Sequence, residues 1–402
     1  MEIVQKNKNA KNIKIMTIMM FFIMLIYNMG HPATPGLIEL RGLSKSISGV
    51  FLAAMSLTMF LSSPYLGAIA DQIGKKKVFV LLPLGYGLSQ VMFALTGNLP
   101  MMILSRLFSG IFAGATYSVA YGYVSDISER QMKSANIAKI GSIAIIGGAL
   151  GAKIGGPVGV MDTTYPGILQ LILSIVVTGL LFFFLKDTEE DEEETKSKRL
   201  SDLKGLNPFS TFKYIKELDS SSKFFVLIIF MSGVGIFSYN SSIIYFLKFY
   251  KNVSSNTIGT FTMLSSLLAF LGTSFLLKWM LKKHKEISIY RVFVTLGMLI
   301  MILSLVILEK GLIPYVLFSI YTMSYEIVRT LGNSILANRF KRDQGKILGI
   351  ATGMGSLGMA VGSLISGYLL AMDSYLPFIV NIVMMSLVIG LLIYNNFINT
   401  KK

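Results

Sequence analysis

The sequence GAIADQIGKKK occupies residues 67–77 and lies between two apolar runs, each long enough to cross a bilayer. It contains two glycines, one acidic residue and three lysines. A connection this short cannot form a domain, so it predicts a tight turn between two membrane-spanning helices. The lysines favour the cytoplasmic side of the membrane, where positively charged loops are retained.

The composition is that of an integral membrane protein. Hydrophobic residues make up 53% of the chain, charged residues only 14%, and the mean hydropathy is +0.64. The net charge of +16 would favour nucleic acid as a partner of a soluble protein, but here the basic residues lie in short loops. We therefore expect the lipid bilayer as a partner and no nucleic acid.

Metal and redox chemistry find no support in the sequence. The chain has no cysteine, which excludes disulfides and thiolate metal sites. Its two histidines, His31 and His284, are too far apart in sequence to suggest a zinc site. No nucleophile–base arrangement or phosphate-binding loop occurs either, so we expect no metal, no cofactor and no enzymatic activity.

The distribution of lysine and arginine predicts the topology. Of the 37 such residues, 29 fall in seven alternate intervals and five in the loops between them. The seven intervals are 1–14, 71–77, 125–139, 186–223, 278–291, 338–346 and 396–402. This pattern predicts twelve transmembrane helices with both termini in the cytoplasm. The bias towards Lys, Ile, Asn and Phe indicates an AT-rich bacterial genome, so we expect the protein in a bacterial plasma membrane.

The chain divides into two similar halves. Residues 186–222 form the only long polar segment, which contains an acidic run at 187–194, and we interpret it as a cytoplasmic linker between residues 1–185 and 223–402. An offset of 211 residues aligns three glycines of the first half with three of the second, namely Gly147, Gly151 and Gly156 with Gly358, Gly362 and Gly367. The repeat predicts an all-α membrane protein of two pseudo-symmetric six-helix bundles.

The turn at residues 67–77 resembles a motif of the major facilitator superfamily, G-x-x-x-D-x-x-G-(R/K)-(R/K). Its positions are occupied by Gly67, Asp71, Gly74, Lys75 and Lys76. The resemblance implies the twelve-helix fold of that family and transport by alternating access, with substrate held midway between the halves. It also implies that this turn is a conformational hinge and that Asp71 acts as a lock rather than as a binding residue.

Three further stretches resemble the drug:proton antiporter branch of the family. They are the P-x-x-P ending of the first span within Gly30–Pro35, the fourth-span string Leu104–Gly114 and the fifth-span string Leu150–Gly156. Proline removes a backbone hydrogen bond that lipid cannot replace, so we expect a break at the end of the first span that faces protein or a cavity. The resemblance implies proton-coupled efflux, with Arg106 of the fourth span involved in proton coupling. The fifth-span string departs from the pattern G-P-x-x-G-G, because Ala152 replaces the proline.

Arg106 lies well inside an apolar span. An arginine in hydrocarbon costs about 3 kcal/mol, so its side chain should face the bundle interior or water. Gly110, Ala113 and Tyr117 share its helical face, and we expect Tyr117 to line a cavity. The alternative is an arginine that reaches the outer headgroups.

The fifth span carries glycines that predict close packing against another helix, namely Gly147, Gly151, Gly155 and Gly156. Lys153 lies among them at membrane depth. Either it joins Arg106 in a cationic patch that attracts an anionic substrate, or it reaches the outer interface. His31, at the end of the first span, is either an interfacial residue or a proton-handling one.

Two spans of the second half contain polar patches. In the seventh span, Phe224–Phe249, the polar stretch Ser238–Ser242 predicts an interruption and a kinked, cavity-facing outer half that includes Tyr239 and Asn240. The tenth span presents a polar stripe on one face. Its members are Ser319, Thr322, Glu326, Arg329, Thr330 and Asn333.

Glu326 is our candidate for the group that gains and loses a proton, and Arg329 lies one turn away. The alternative is a static Glu326–Arg329 pair. We expect Thr322 and Asn333 to line the cavity.

The function that these features favour is secondary transport: efflux of small lipophilic compounds by a protein that acts as a monomer and exchanges its substrate for protons. Arg106, Lys153 and Arg329 would repel a cationic drug, which favours export of an anionic or zwitterionic metabolite, such as a siderophore or an acidic antibiotic, as the alternative. Import of a solute is a weaker alternative, and a membrane receptor or scaffold that transports nothing is the alternative from another class.

Overall fold

Long apolar runs fold as helices in a membrane because a helix satisfies its own backbone hydrogen bonds where water is absent. In the computed structural model all described secondary structure is helical, which confirms the predicted all-α fold. The described backbone comprises residues 2–129, 132–186, 215–216, 218–308, 311–338 and 344–400. Most of the predicted linker 186–222, including the acidic run 187–194, lies outside the described residues.

The helices of the first half follow the predicted spans. They are α1 (Glu2–Met29), a 3₁₀ turn (His31–Ala33), α2 (Thr34–Leu40), α3 (Ile47–Ile73), α4 (Lys75–Leu95), α5 (Leu99–Ile127), α6 (Lys133–Met161) and α7 (Tyr165–Phe184). The first span is broken at its proline-containing end, as expected. Pro32 lies in the 3₁₀ turn, since proline cannot donate the backbone hydrogen bond that a continuous α-helix requires.

The helices of the second half begin after the linker. They are α8 (Ser220–Phe249), α9 (Ser255–Leu271), a π-helical segment (Gly272–Leu276), α10 (Leu277–Leu281), α11 (Glu286–Val306), α12 (Ile313–Asn338), α13 (Gln344–Met372) and α14 (Leu376–Thr400). Asp219 caps α8, because its carboxylate accepts hydrogen bonds from the backbone N–H groups of Ser221 (3.0 Å) and Ser222 (3.2 Å).

The predicted interruption of the seventh span is wrong, because α8 is continuous through residues 238–242. Its serines are buried and bonded to neighbouring helices. Ser241 and Ser242 pair with Ser363 (2.7 Å) and Ser366 (2.9 Å) on α13, and Ser238 donates to the Pro377 carbonyl oxygen. A polar patch that is satisfied in this way holds helices together and does not require a kink.

Ten of the described helices are long and apolar enough to cross a membrane when α1 with α2, and α9 with α10, are each counted as one, and the bent helix α3 makes eleven if it is one span. The 26-residue helix α12 is not among them. It carries the predicted polar stripe and two charges, which lower its hydropathy. The twelve-span topology therefore stays a prediction.

Two compact units make up the described residues. Unit 1 is drawn from Met1–Leu37, Leu57–Pro208 and Ser254–Met263, and unit 2 from Ile38–Ser56, Phe209–Val253 and Leu264–Lys402. Each unit thus contains most of one sequence half together with a short segment of the other half. The segment in unit 1 is the start of α9, and the segment in unit 2 is the end of α2 with the start of α3. The predicted domains 1–185 and 223–402 differ from these units only at such helix ends and stay a prediction.

Glycines bring helix backbones into contact in both units. In unit 1, a Cβ on Gly147, Gly151 or Gly155 of α6 would collide with a backbone carbonyl oxygen of α1. In unit 2, Gly358 and Gly362 of α13 meet the backbone of α8 in the same manner. The glycines related by the 211-residue offset therefore do the same packing work in each unit.

The third glycine pair of the repeat, Gly156 and Gly367, contacts the start of α9 and the start of α3. A Cβ on Gly156 would lie 2.7 Å from the carbonyl oxygen of Ser255 and 3.0 Å from the Cα of Asn256, at the start of α9. Gly367 of α13 meets Gly49, at the start of α3, backbone to backbone. The repeat thus extends to the contacts that place α9 in unit 1 and α3 in unit 2.

We expect Gly151→Ala to lower the free energy of unfolding by about 1–3 kcal/mol, because the new methyl group must push α6 away from α1. The apparent melting temperature of the purified protein in detergent measures this effect. Gly179→Ala on α7 is the control: no described atom of another helix lies within 4 Å of its Cβ position, and alanine favours a helix over glycine by about 1 kcal/mol. Equal melting temperatures for the two variants would contradict the packing role.

Candidate functional site

The opening stretch forms a sharp turn between α3 and α4. Gly74 has φ +105°, a conformation that favours glycine, and α4 begins at the next residue. This geometry directs Lys75 into unit 1, where its side chain is only 11% exposed. Lys76 lies farther out, with its Nζ 6.0 Å from the ring centroid of Phe182.

Lys75 joins the ends of three helices by ion pairs. Its Nζ lies 2.9 Å from a carboxylate oxygen of Asp71 on α3 and 2.7 Å from one of Asp126 on α5. The Asp71 side chain is 54% exposed, whereas that of Asp126 is 18% exposed. The more buried pair is the one that sequence reasoning missed, although Asp126 is an acidic residue at the end of an apolar span.

We expect Asp126→Asn to destabilise the protein more than Asp71→Asn. Breaking a buried ion pair costs about 3–5 kcal/mol, whereas exposed pairs are worth about 0–1 kcal/mol. Thermal unfolding of the two variants measures the difference, with Lys77→Gln at an exposed neighbour as the control. A larger loss for Asp71→Asn would mean that the α3–α4 pair dominates the turn.

Arg106 is buried in unit 1, at 6% exposure. Its Nη1 donates to Oε1 of Gln90 on α4 (3.3 Å), and its Cζ lies 3.5 Å from the ring centroid of Phe93. His31 is within electrostatic range of the guanidinium. The side chain therefore points into the unit and not towards the headgroups, and a cation–π contact adds to its stabilisation.

A small cavity of about 10 Å³ lies beside Arg106. It has room for about one water molecule, which is too little for a transported solute. Tyr117, predicted to line a cavity on the same helix, is 38% exposed and donates its hydroxyl to Sδ of Met24 (3.3 Å). Gln90 was not anticipated, although a glutamine inside an apolar span is a signal that the sequence contains.

Lys153 contacts α9. Its Nζ donates to Oγ1 of Thr260 at 2.7 Å, and both residues are half-buried in unit 1. Arg106, by contrast, lies with Gln90 and Phe93. The structure therefore pairs Lys153 with a hydroxyl, an arrangement that neither sequence interpretation included.

The end of α2 and the loop before α3 make charged contacts with the end of α8 in unit 2. Lys45 Nζ lies 4.4 Å from the ring centroid of Tyr250, and Lys248 lies 3.4 Å from Glu39. The Tyr250 hydroxyl donates to the Leu370 carbonyl oxygen at 2.6 Å. Burial, with Asp373 nearby, raises the pKa of that hydroxyl, so it remains a neutral donor beneath the lysine.

The polar stripe of α12 contains a close ion pair in unit 2. Nε and Nη2 of Arg329 donate to one Glu326 oxygen at 3.0 and 2.7 Å. The Glu326 side chain is 20% exposed and that of Arg329 is 56% exposed. Neighbouring stripe hydroxyls are also bonded: Ser319 pairs with Ser265 of α9, and Thr322 donates to the Phe318 carbonyl oxygen within α12.

The predicted cavity-lining residues of unit 2 have different environments. Tyr239 is fully buried in an aromatic cluster and bonds to the Phe318 carbonyl oxygen at 3.2 Å, so it packs the interior instead of lining a cavity. Asn240 is half-buried. The side chain of Asn333 lies outside the described residues. The predicted charges fall in separate units: His31, Arg106 and Lys153 in unit 1, Glu326 and Arg329 in unit 2.

Comparison with known proteins identifies the relatives of the chain. The family model of the Major Facilitator Superfamily matches residues 16–343. Multidrug resistance protein 2 of Bacillus subtilis is 22% identical over 353 residues, which are 87% of this chain and 86% of that protein. Quinolone resistance protein NorA of Staphylococcus aureus is 28% identical over 284 residues, 64% of this chain and 72% of that protein.

Solved structures share the fold at low sequence identity. The nucleoside transporter NupG superposes with a TM-score of 0.73 at 12% identity, over 96% of this chain and 98% of that one. The human organic anion transporter MFSD10 superposes with a TM-score of 0.66 at 18% identity, over 96% of this chain and 99% of that one.

Proposed function

Because the chain belongs to the major facilitator superfamily, we propose that it exports small lipophilic compounds in exchange for protons. Membership makes it a membrane transporter with a small-molecule substrate. The direction, the coupling ion and the substrate class are the proposal. The multidrug and quinolone resistance proteins among its relatives support the direction.

The observation that carries the proposal is the Glu326–Arg329 pair on α12. Both side chains are partly exposed, although they lie within a long helix of a membrane protein. Charges in such helices are expensive and mark substrate or ion pathways. A carboxylate that alternates between its arginine and water changes its proton affinity, which is what proton coupling requires.

We expect Glu326→Gln to abolish the pH dependence of efflux, because an amide cannot exchange the proton. The measurement is dye flux from proteoliposomes under an imposed pH gradient, with and without an uncoupler. Glu129→Gln, an exposed acid just after α5, is the control and should behave as wild type. Unchanged pH dependence in Glu326→Gln would make the pair a static one.

The same assay separates the alternative substrates. Export of anionic or zwitterionic compounds is the second candidate, favoured by the 56% exposure of Arg329. Cationic and anionic dyes should therefore be compared side by side. Efflux of anionic dyes alone would select this second function.

Alternating access requires contacts that open during the cycle, and Lys153–Thr260 is our candidate. It joins α6 of the first sequence half to α9 of the second. The positive-inside rule assigns this end of both helices to the outer face and both termini to the cytoplasm of a plasma-membrane protein. A single hydrogen bond beside the small residue Gly156 can open at little cost.

We expect a short crosslink between cysteines in Lys153→Cys/Thr260→Cys to stop transport, and cleavage of the crosslink to restore it. The natural chain contains no cysteine, so only the introduced pair reacts. Each single cysteine variant, treated with the same reagent, is the control. Transport at the wild-type rate by the fully crosslinked protein would show that this contact stays closed throughout the cycle.

A further inference from the structure

Several polar side chains besides Arg106 line the small cavity beside it. Gln90 of α4, Gln170 of α7 and Thr163, just before α7, all contribute to its wall. Gln90 and Gln170 are 4% and 1% exposed. With a volume of about 10 Å³, the cavity can hold about one water molecule.

Hydrogen bonds fix the orientation of both amides. Gln90 accepts from Arg106 through Oε1 at 3.3 Å, so its Nε2 donor points elsewhere. Gln170 donates through Nε2 to the Ile26 carbonyl oxygen at 2.6 Å, so its Oε1 acceptor points elsewhere. Neither amide can be turned round without placing donor against donor or acceptor against acceptor.

Three buried atoms at this cavity have no hydrogen-bond partner within the part of the chain that the structure describes. They are Nε2 of Gln90, Oε1 of Gln170 and Oγ1 of Thr163. The hydroxyl of Tyr86 lies close to Gln170 but donates its proton to the Tyr27 carbonyl oxygen at 2.9 Å. Buried polar atoms are rarely left unsatisfied, and the three belong to residues that line one cavity, which is where a small ligand would reach them.

We propose that this cavity is a binding site for one water molecule. The water would accept from Nε2 of Gln90, donate to Oε1 of Gln170 and form its third bond with the Thr163 hydroxyl. One donor, one acceptor and one group that is both match the hydrogen-bonding capacity of water.

The water would also act on Arg106 indirectly. It holds the Gln90 amide in the orientation that presents Oε1 to the guanidinium, so Gln170 and Thr163 become positioning residues for Arg106. This role does not depend on the direction of transport or on the substrate.

The test is Thr163→Val, which removes the hydroxyl and preserves the shape of the side chain. If the water is bound, the variant loses one of its partners and melts a few degrees lower, and Thr163→Ser, which keeps the hydroxyl, recovers the loss. If no water is bound, Thr163→Val removes an unsatisfied buried hydroxyl, so its melting temperature is unchanged or higher. That second result would overturn the proposal.

A double-mutant cycle with Gln170→Met checks that the effect passes through a shared ligand. Each substitution alone should weaken or expel the water, so the melting-temperature losses in the double variant should be smaller than the sum of the two single losses. Losses that add fully would overturn the shared site. An experimental density map that resolves bound waters should show one within hydrogen-bond distance of all three atoms, and an empty cavity there would overturn it directly.

Discussion

The structure depends on the approach of helix backbones at glycine. In a bilayer, lipid tails are as apolar as leucine, so helices associate through close packing and hydrogen bonds rather than through the hydrophobic effect. Gly147, Gly151 and Gly155 place the backbone of α6 against that of α1, and Gly358 and Gly362 do the same for α13 and α8. These two helix pairs form the frame of each unit, namely α1 with α6 in unit 1 and α8 with α13 in unit 2, on which the polar side chains are placed.

Within that frame, each charge at membrane depth is matched to a neighbour of suitable chemistry. Arg106 lies between an amide oxygen and an aromatic face, Lys153 donates to a hydroxyl, and Arg329 bonds to a carboxylate three residues away. The partners described for Arg106 and Lys153, the two cations at membrane depth in unit 1, are neutral groups. Because a buried pair of opposite charges is hard to separate, neutral partners suit contacts that exchange during a transport cycle.

The sequence predicted what repeats along one helix or along the chain. The spans, the break near Pro32, the glycine stripe and the inward direction of Arg106 all follow from periodicity and from the cost of polar groups in lipid. The sequence did not predict the partners of Lys153, Arg106 and Lys75. These partners are Thr260, Gln90 and Asp126, and each lies on a different helix from the charged residue that it contacts. The predicted interruption of α8 was wrong for the same reason. Ser241 and Ser242 form hydrogen bonds with α13, and the residue pattern of α8 alone cannot reveal such bonds.

The charged residues at membrane depth differ between the two halves, whereas the packing glycines are the same. Under the 211-residue offset the packing glycines match, whereas Lys153 meets Leu364, Arg106 meets Leu317 and Glu326 meets Ala115. A charge in a span costs free energy, and two equivalent halves would need it equally if it served packing alone. Its presence in one half only therefore indicates a task that the two halves do not share. In a carrier built from a duplicated frame, such tasks are substrate selection and ion coupling, which explains why the unmatched residues are the candidates for both.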